Sequence, residues 1–326
     1  MRMLNVCTPN NGVANVYSPV SARHGVHRLP PFRSLTTADI PSIKKYIADN
    51  PWRTCDYTVG GIFMWLDYFD YEFCIYRDTL FIKGESENNR GNTAFSLPLG
   101  ELPLNESATL LSDYCASAGR RLEFSAIPES MAAELVMVTG GRLEMLDGWS
   151  DYLYDAAALA TLSGKVYSKK RNHVNRFLAD NPNYRFEAVG VSNVAEVRQF
   201  MLGVDLSDKS DVDTAAYELS QCIDVVDNLG AYGFEGALLR DNNGRVCAVT
   251  FGEVVGDTLY VHIEKMDHDI AGAGETINKL FAGSMTEKYP QIRFINREED
   301  MGDEGLRYAK NSYHPVSLLK KYNVIV

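Results

Sequence analysis

No run of about eighteen apolar residues occurs in the 326-residue chain, so nothing in it reads as a membrane-spanning helix. Residues 1–25 lack an apolar core of signal-peptide length, which makes cytoplasmic residence the default expectation. Cys-x-x-Cys is missing as well. The six cysteines, at positions 7, 55, 74, 115, 222 and 247, are scattered, which removes support for a zinc or redox motif and predicts free, buried thiols. The six histidines include no His-Glu-x-x-His, and the spacing of the acidic residues is not that of an EF-hand, so no metal is expected. Positive charge is scarce too. A net charge of −11 disfavours indiscriminate binding to nucleic acid or to an anionic lipid surface.

What is present is ordinary globular material in unusual local groupings. A 45% apolar chain of this length suffices for two domains. Residues 1–30 read as a loose tail, 31–155 as a first domain and 156–326 as a second. In the first, Asp39 precedes a helix with Ile40, Ile43 and Ile47 on one side, and residues 60–69 are so apolar that a buried helix is expected. A hairpin turning at Arg77 and Asp78 follows, then a strand at 93–97, a helix at 105–118, a strand at 121–126, a helix at 129–138 and a strand at 142–146. Residues 151–162 bridge to a helix at 165–180, a strand at 184–189 and helices at 192–202 and 213–229. A three-strand meander (236–240, 245–253, 259–265), a helix at 274–288 and a strand at 292–296 complete the second half.

Four groupings could carry chemistry. Residues 156–179 contain no acid but hold Lys165, Lys169, Lys170, Arg171 and Arg176, a basic helix inside an acidic protein. Lys169, Lys170 and Arg171 are therefore expected to line a groove for a phosphate-bearing ligand, with a solvated helix face as the plain alternative. Gly272 and Gly274 stand where a strand feeds a helix, leaving the first amides of that helix for an anion. It is not a dinucleotide fingerprint, because Ile277 occupies the third glycine position. Along residues 259–265, period-two alternation puts His262 and Glu264 on one face, a plausible proton-handling pair. Last, the apolar strand ending at Ile295 turns abruptly polar, with Asn296, Arg297, Glu298, Glu299 and Asp300, and with Lys310 and Tyr313 shortly after. There Arg297 could clamp a phosphate or carboxylate, and Glu298 or Asp300 could take a proton from an attacking amine. Glu264, Arg297 and Glu298 are expected to converge on one cleft, with Asn296, Lys310 and Tyr313 as further binding groups and the glycines at its phosphate end.

Residues 151–167, 169–182, 252–266 and 294–315 together resemble the family whose domain forms the C-terminal, soluble part of phosphatidylglycerol lysyltransferases. The resemblance runs over about residues 32–326. It implies an α+β fold of two tandem GNAT-like (acyl-CoA N-acyltransferase) domains, related to Fem-type aminoacyltransferases, each a mostly antiparallel splayed sheet flanked by helices. The order of elements in each half agrees with that fold. In GNAT proteins the glycine turn cradles the pyrophosphate of acyl-coenzyme A, but the usual leading Gln or Arg is replaced here by residues around Asp269. The expected function is an acyl- or aminoacyltransferase. Its donor would be aminoacyl-tRNA or acyl-CoA, and its acceptor an amine or hydroxyl of a lipid headgroup or small molecule. The partner would be a tRNA acceptor end or a CoA thioester. The rival is a non-catalytic small-ligand-binding or regulatory protein on the same scaffold.

Overall fold

The computed structural model describes residues 29–48, 51–86, 89–206 and 212–326. The tail expected over residues 1–30 lies outside the described residues except for its last two.

Two separate sheets form. The first runs in the order Arg33–Ser34, Glu72–Tyr76, Thr79–Ser86, Asn89–Phe95, Glu123–Pro128, Lys321–Ile325, Arg142–Met145, with Leu99–Gly100 beside Thr79–Ser86. The second runs Ser317–Leu319, Asp151–Asp155, Phe294–Asn296, Thr258–Met266, Val246–Val255, Glu235–Arg240, Arg185–Ala188. The fold is thus α+β, with two GNAT-like halves. In each sheet one pair is parallel and the rest are antiparallel. In the first, Phe95 opposite Phe124 is the whole of the parallel contact. In the second the contact lasts from Thr258↔Phe294 to Tyr260↔Asn296, after which the two chains part. Each sheet therefore opens as a fork beyond its parallel pair.

The chain does not respect a simple halfway division. Asp151–Asp155 bonds within the second sheet, while Lys321–Ile325 returns to the first and lies between Glu123–Pro128 and Arg142–Met145. Packing joins the halves as well. One core takes Ile62, Phe63, Phe73 and Ile82 from the first half and Val197, Val225, Phe251 and Ile263 from the second. A second core lies inside the first half around Phe81, Phe95, Leu111 and Phe124, and a third inside the second half around Leu259, Phe281, Met285 and Ile295.

The hairpin turn falls at Arg77 and Asp78 as expected, both in the left-handed region that a two-residue turn requires (φ 48° and 53°). Three expectations are corrected. The apolar stretch 60–69 is helical only over Val59–Phe63 and continues as turns that end at Asp70 (φ 50°), so its aromatic rings fan out. The basic helix starts at Ser168, which leaves Val166 exposed. Residues 151–162, read as a bridge, are the strand Asp151–Asp155 and the helix Ala156–Thr161.

Because Lys321–Ile325 is bonded on both sides, deleting residues 321–326 should abolish the single cooperative urea transition, followed by circular dichroism. An unchanged transition midpoint would show that this strand is dispensable.

Candidate active site

The fork in the second sheet has two faces, and a bulge decides which residue meets which. Phe251 lies opposite Ile263, but Gly252 lies opposite Val261, so one extra residue is inserted at Val261–His262. Beyond the insertion the alternation reverses. Glu264 joins Leu259 and Val261 on the face packed by the helix Ala273–Lys288, where it accepts from Asn278 Nδ2 at 3.1 Å. His262 stays with Tyr260 on the opposite face, which meets residues 55–60 of the first half. The expected His262–Glu264 pair is therefore separated. Arg297 and Glu298 divide the same way: Arg297 Nη2 donates to Glu264 at 2.8 Å, and Glu298 Oε1 lies 2.7 Å from His262 Nδ1. Glu264 and Arg297 do meet, and Glu298 does not join them.

On the helix-packed face the expected anion groove becomes a closed ion-pair cluster. Lys170 reaches Glu275 at 3.3 Å and lies over the Tyr313 ring at 4.0 Å, with Arg297 over the same ring at 4.8 Å. Arg297 Nη1 is buried without a hydrogen-bond partner. Lys170 is thus the one basic residue of the expected trio that points inward. Arg171 turns away to donate to the carbonyls of Leu162 and Gly164, finishing the helix Ala156–Thr161, and Lys169 is exposed. Gly272, at φ +81°, does not cradle an open site, since a Cβ there would run into the carbonyl oxygen of His173. The glycine lets the two helices touch. Gly274 faces the flexible Met266 side chain, and Glu275 puts a carboxylate in the first helical turn, where a phosphate would otherwise sit. Asn296 is fully buried and ties Asp151 and the Arg53 carbonyl, each at 2.7 Å, while its own oxygen accepts from the Glu298 amide. Lys310 Nζ donates to the carbonyls of Arg297 and Glu298, holding the turn from behind.

The other face opens into a cleft between the halves. Trp65, Tyr68, Phe69, Tyr71 and Trp149 form its walls, and Asp56, Glu85, Glu298 and Glu299 line it, without a lysine or arginine among its described lining residues. Ala126, Glu298 and Met301 border it with positive φ (55°, 57° and 51°), a conformation a non-glycine residue holds only when its surroundings enforce it. Behind Glu298 the His262 ring is completely buried, stacked on Phe234 at 5.1 Å, with Nε2 3.0 Å from Glu253 Oε1. Burial disfavours a charged ring, but the bonds to Glu253 and Glu298 outweigh it and raise its pKa to about 10. Both ring nitrogens thus face carboxylate oxygens. Burial raises the Glu298 carboxyl against the pull of His262.

Beneath Glu299 lies a group that the sequence did not announce. Lys321 Nζ is fully buried, 2.7 Å from Asp151, 2.8 Å from Asp56 and 3.3 Å from both Glu299 and the Cys55 sulfur. Burial works against this ammonium, yet the surrounding carboxylates hold it charged. Burial pushes Asp151 up to about 7 despite Lys321. It penalises Glu299 as well, but Lys321 and the bonds it receives keep that carboxyl below its usual range. Cys55, Asp56 and Asp151 lie close enough together to suggest metal ligands, but the ammonium already fills their centre. One charged residue opening an otherwise uncharged strand, KYNVI, was the available signal for Lys321.

Two GNAT-like halves with a polar fork facing an interdomain cleft define the class of fold to which this chain belongs. The family "Phosphatidylglycerol lysyltransferase, C-terminal" matches residues 51–325, and the chain is a member of it. A conserved protein of unknown function from Bacteroides thetaiotaomicron VPI-5482 is similar at 30% identity and TM-score 0.82, over 91% of this chain and 99% of that one. L-PGS from Bacillus licheniformis is similar in fold, at 14% identity and TM-score 0.61, over 92% of this chain and 93% of that one. An uncharacterised protein of Mycoplasmoides gallisepticum is 24% identical over 187 residues, which span 54% of this chain and 56% of that relative. Among the described residues no helix is long and apolar enough to cross a membrane.

Replacing Lys321 by Met leaves the buried Asp151 and the partly buried Asp56 and Glu299 without their cation, and should cost about 3–5 kcal/mol in urea unfolding near neutral pH. The deficit should shrink as pH is lowered and the carboxylates are protonated. A deficit that is constant with pH would mean that Lys321 acts through packing alone.

Proposed function

We propose that this protein is an aminoacyltransferase that takes its aminoacyl group from aminoacyl-tRNA rather than an acyl group from acyl-coenzyme A. The observation that carries this reading is the cleft between the halves, with carboxylates in its lining, aromatic rings for walls and no lysine or arginine among its described lining residues. An aminoacyl ester differs from a plain acyl group in its ammonium, which such a site favours through charge and through the ring faces. Two features speak against coenzyme A: Gly272 packs against the His173 carbonyl, and Glu275 occupies the first turn of the helix. Family membership supports the same class of donor.

The reaction would bring the amine or hydroxyl of an acceptor, a lipid headgroup or small molecule, against the ester carbonyl carbon. A new C–N or C–O bond forms and the ester C–O bond breaks. The nucleophile's proton passes to Glu298, whose burial-raised carboxyl suits a base working near neutral pH, and then to the leaving tRNA hydroxyl. His262 holds Glu298 in place.

Incubating the protein with labelled aminoacyl-tRNA or labelled acyl-CoA, with phospholipid vesicles and with small amines as acceptors, tests the reading. Transfer from aminoacyl-tRNA is expected, and Glu298→Gln should lower it by about 10²–10⁴-fold while circular dichroism shows the fold retained. Transfer from acyl-CoA alone, or full activity in the Gln variant, overturns it. Tight binding of aminoacyl-tRNA analogues without transfer would favour the non-catalytic reading.

A further inference from the structure

Glu253 has no part in the reaction as written above, yet its position is costly. It lies on the strand Val246–Val255, is 5% exposed, and its Oε1 accepts from two partners: His262 Nε2 at 3.0 Å and the Gly60 amide at 2.8 Å. Gly60 belongs to the first half, and a Cβ on it would lie 2.5 Å from the His262 ring. The ring thus fits between the halves only because position 60 carries no side chain. Glu253 also borders a second cavity, apart from the cleft, together with Lys44, Glu235 and Tyr289. His262 consequently bridges two carboxylates, one lining each cavity: Glu298 on Nδ1 and Glu253 on Nε2.

We propose that Glu253 is a positioning residue that, with the Gly60 amide, holds His262 doubly protonated and aimed at Glu298, so that Glu298 is available as the base of the cleft. The inference rests on the role given to Glu298 above. Its physical basis is charge balance inside a buried chain. A lone imidazolium beside one carboxylate would bear most of the desolvation cost; a second carboxylate on the far nitrogen offsets it. Without Glu253, the ring would lose its Nε2 proton, and neutral His262 would no longer favour an ionised Glu298. Other charged groups near Glu298 do not replace this contact. Lys310 reaches the Glu298 carbonyl at 3.4 Å, Lys265 is paired with Glu218 at 2.8 Å, and Glu299 adds negative charge. The stacked Phe234 ring supplies no proton. By coupling to Gly60, the same carboxylate also makes the protonation of His262 depend on contact between the halves.

The test uses the full chain labelled with ¹⁵N at histidine. In the wild type, both His262 ring nitrogens should be protonated at about pH 8, and the ring should titrate only toward pH 10, in line with its position between two carboxylates. In Glu253→Gln, which keeps an acceptor for the Gly60 amide, His262 should be neutral at about pH 8. The acidic limb of the kcat/KM profile should move up by about one pH unit or more, with the rate recovering above the limb and KM little changed. Glu253→Asp should restore part of the shift. A neutral His262 in the wild type, or a Gln variant slowed by the same factor at every pH, overturns the proposal. If no acceptor yields turnover, the proposed function fails, while the His262 resonances still decide this inference. Should Glu253→Gln not fold, Glu253→Asp, which shortens the reach to His262 Nε2 and keeps the charge, carries the same readouts, with a smaller shift expected and no shift overturning the proposal.

Discussion

A buried ammonium ties the two sheets to each other beside the core they share. Lys321 opens a strand of the first sheet, yet its carboxylate partners come from the 3-10 turn at Asp56, from Asp151 at the start of a second-sheet strand, and from Glu299 just past the fork. Three carboxylates around one buried ammonium, with Asp151 fully out of water and Asp56 and Glu299 mostly so, are expensive unless the remaining lone pairs are used. Here they are largely used: Asp151 accepts from the Cys55 amide at 2.6 Å and from Asn296 at 2.7 Å. Asn296 in turn fixes the Glu298 amide at 2.6 Å, so the strained turn that carries Glu298 hangs on the same network. The geometry of the cleft is in this sense a by-product of satisfying a buried lysine.

The fork and its bulge divide chemistry from scaffolding. A one-residue insertion at Val261–His262 sends Glu264 to the helices and leaves His262 at the cleft. The first face is closed by pairings, Arg297 with Glu264 and Lys170 with Glu275, packed against Tyr313. The second keeps carboxylates and rings facing an opening. Without the bulge, Glu264 would share the cleft with Glu298, and Arg297 would lose its partner.

Much of the fold was legible because it is written in local patterns. The hairpin at Arg77–Asp78, the meander and the long helix Ala273–Lys288 rest on turn chemistry and periodicity within short windows. The meeting of Arg297 with Glu264 was also readable, since two strand ends beside one glycine turn converge in this topology. What was not legible depends on distant backbone. A bulge is set by how two strands accommodate their neighbours, and nothing in LYVHIEKM marks where the extra residue falls. Gly272 looked like a phosphate cradle because a glycine before a helix serves either an anion or a close helix contact, and only the position of His173 decides which. Lys321 lies 265 residues from Asp56 in sequence, so no window connects them. The aromatic run at residues 60–69 was read as core because apolar composition does not distinguish a core from the wall of a cleft.

The two buried cations also set the electrostatic character of that cleft. Lys321 and His262 are both completely inaccessible, while the carboxylates they serve, Glu298 and Glu299, are respectively 26% and 15% exposed. The positive charges therefore stand behind the negative ones as seen from the opening. A phosphate approaching between the halves would meet carboxylate oxygens first, with the neutralising charge deeper in protein. An ammonium would meet those oxygens and the aromatic side chains of Trp65, Tyr68 and Trp149. Turning the order around, with Lys321 or His262 in front, would require the strand Lys321–Ile325 or the bulge to be placed elsewhere. The acidic lining of the cleft is thus built into the same contacts that hold the fold together.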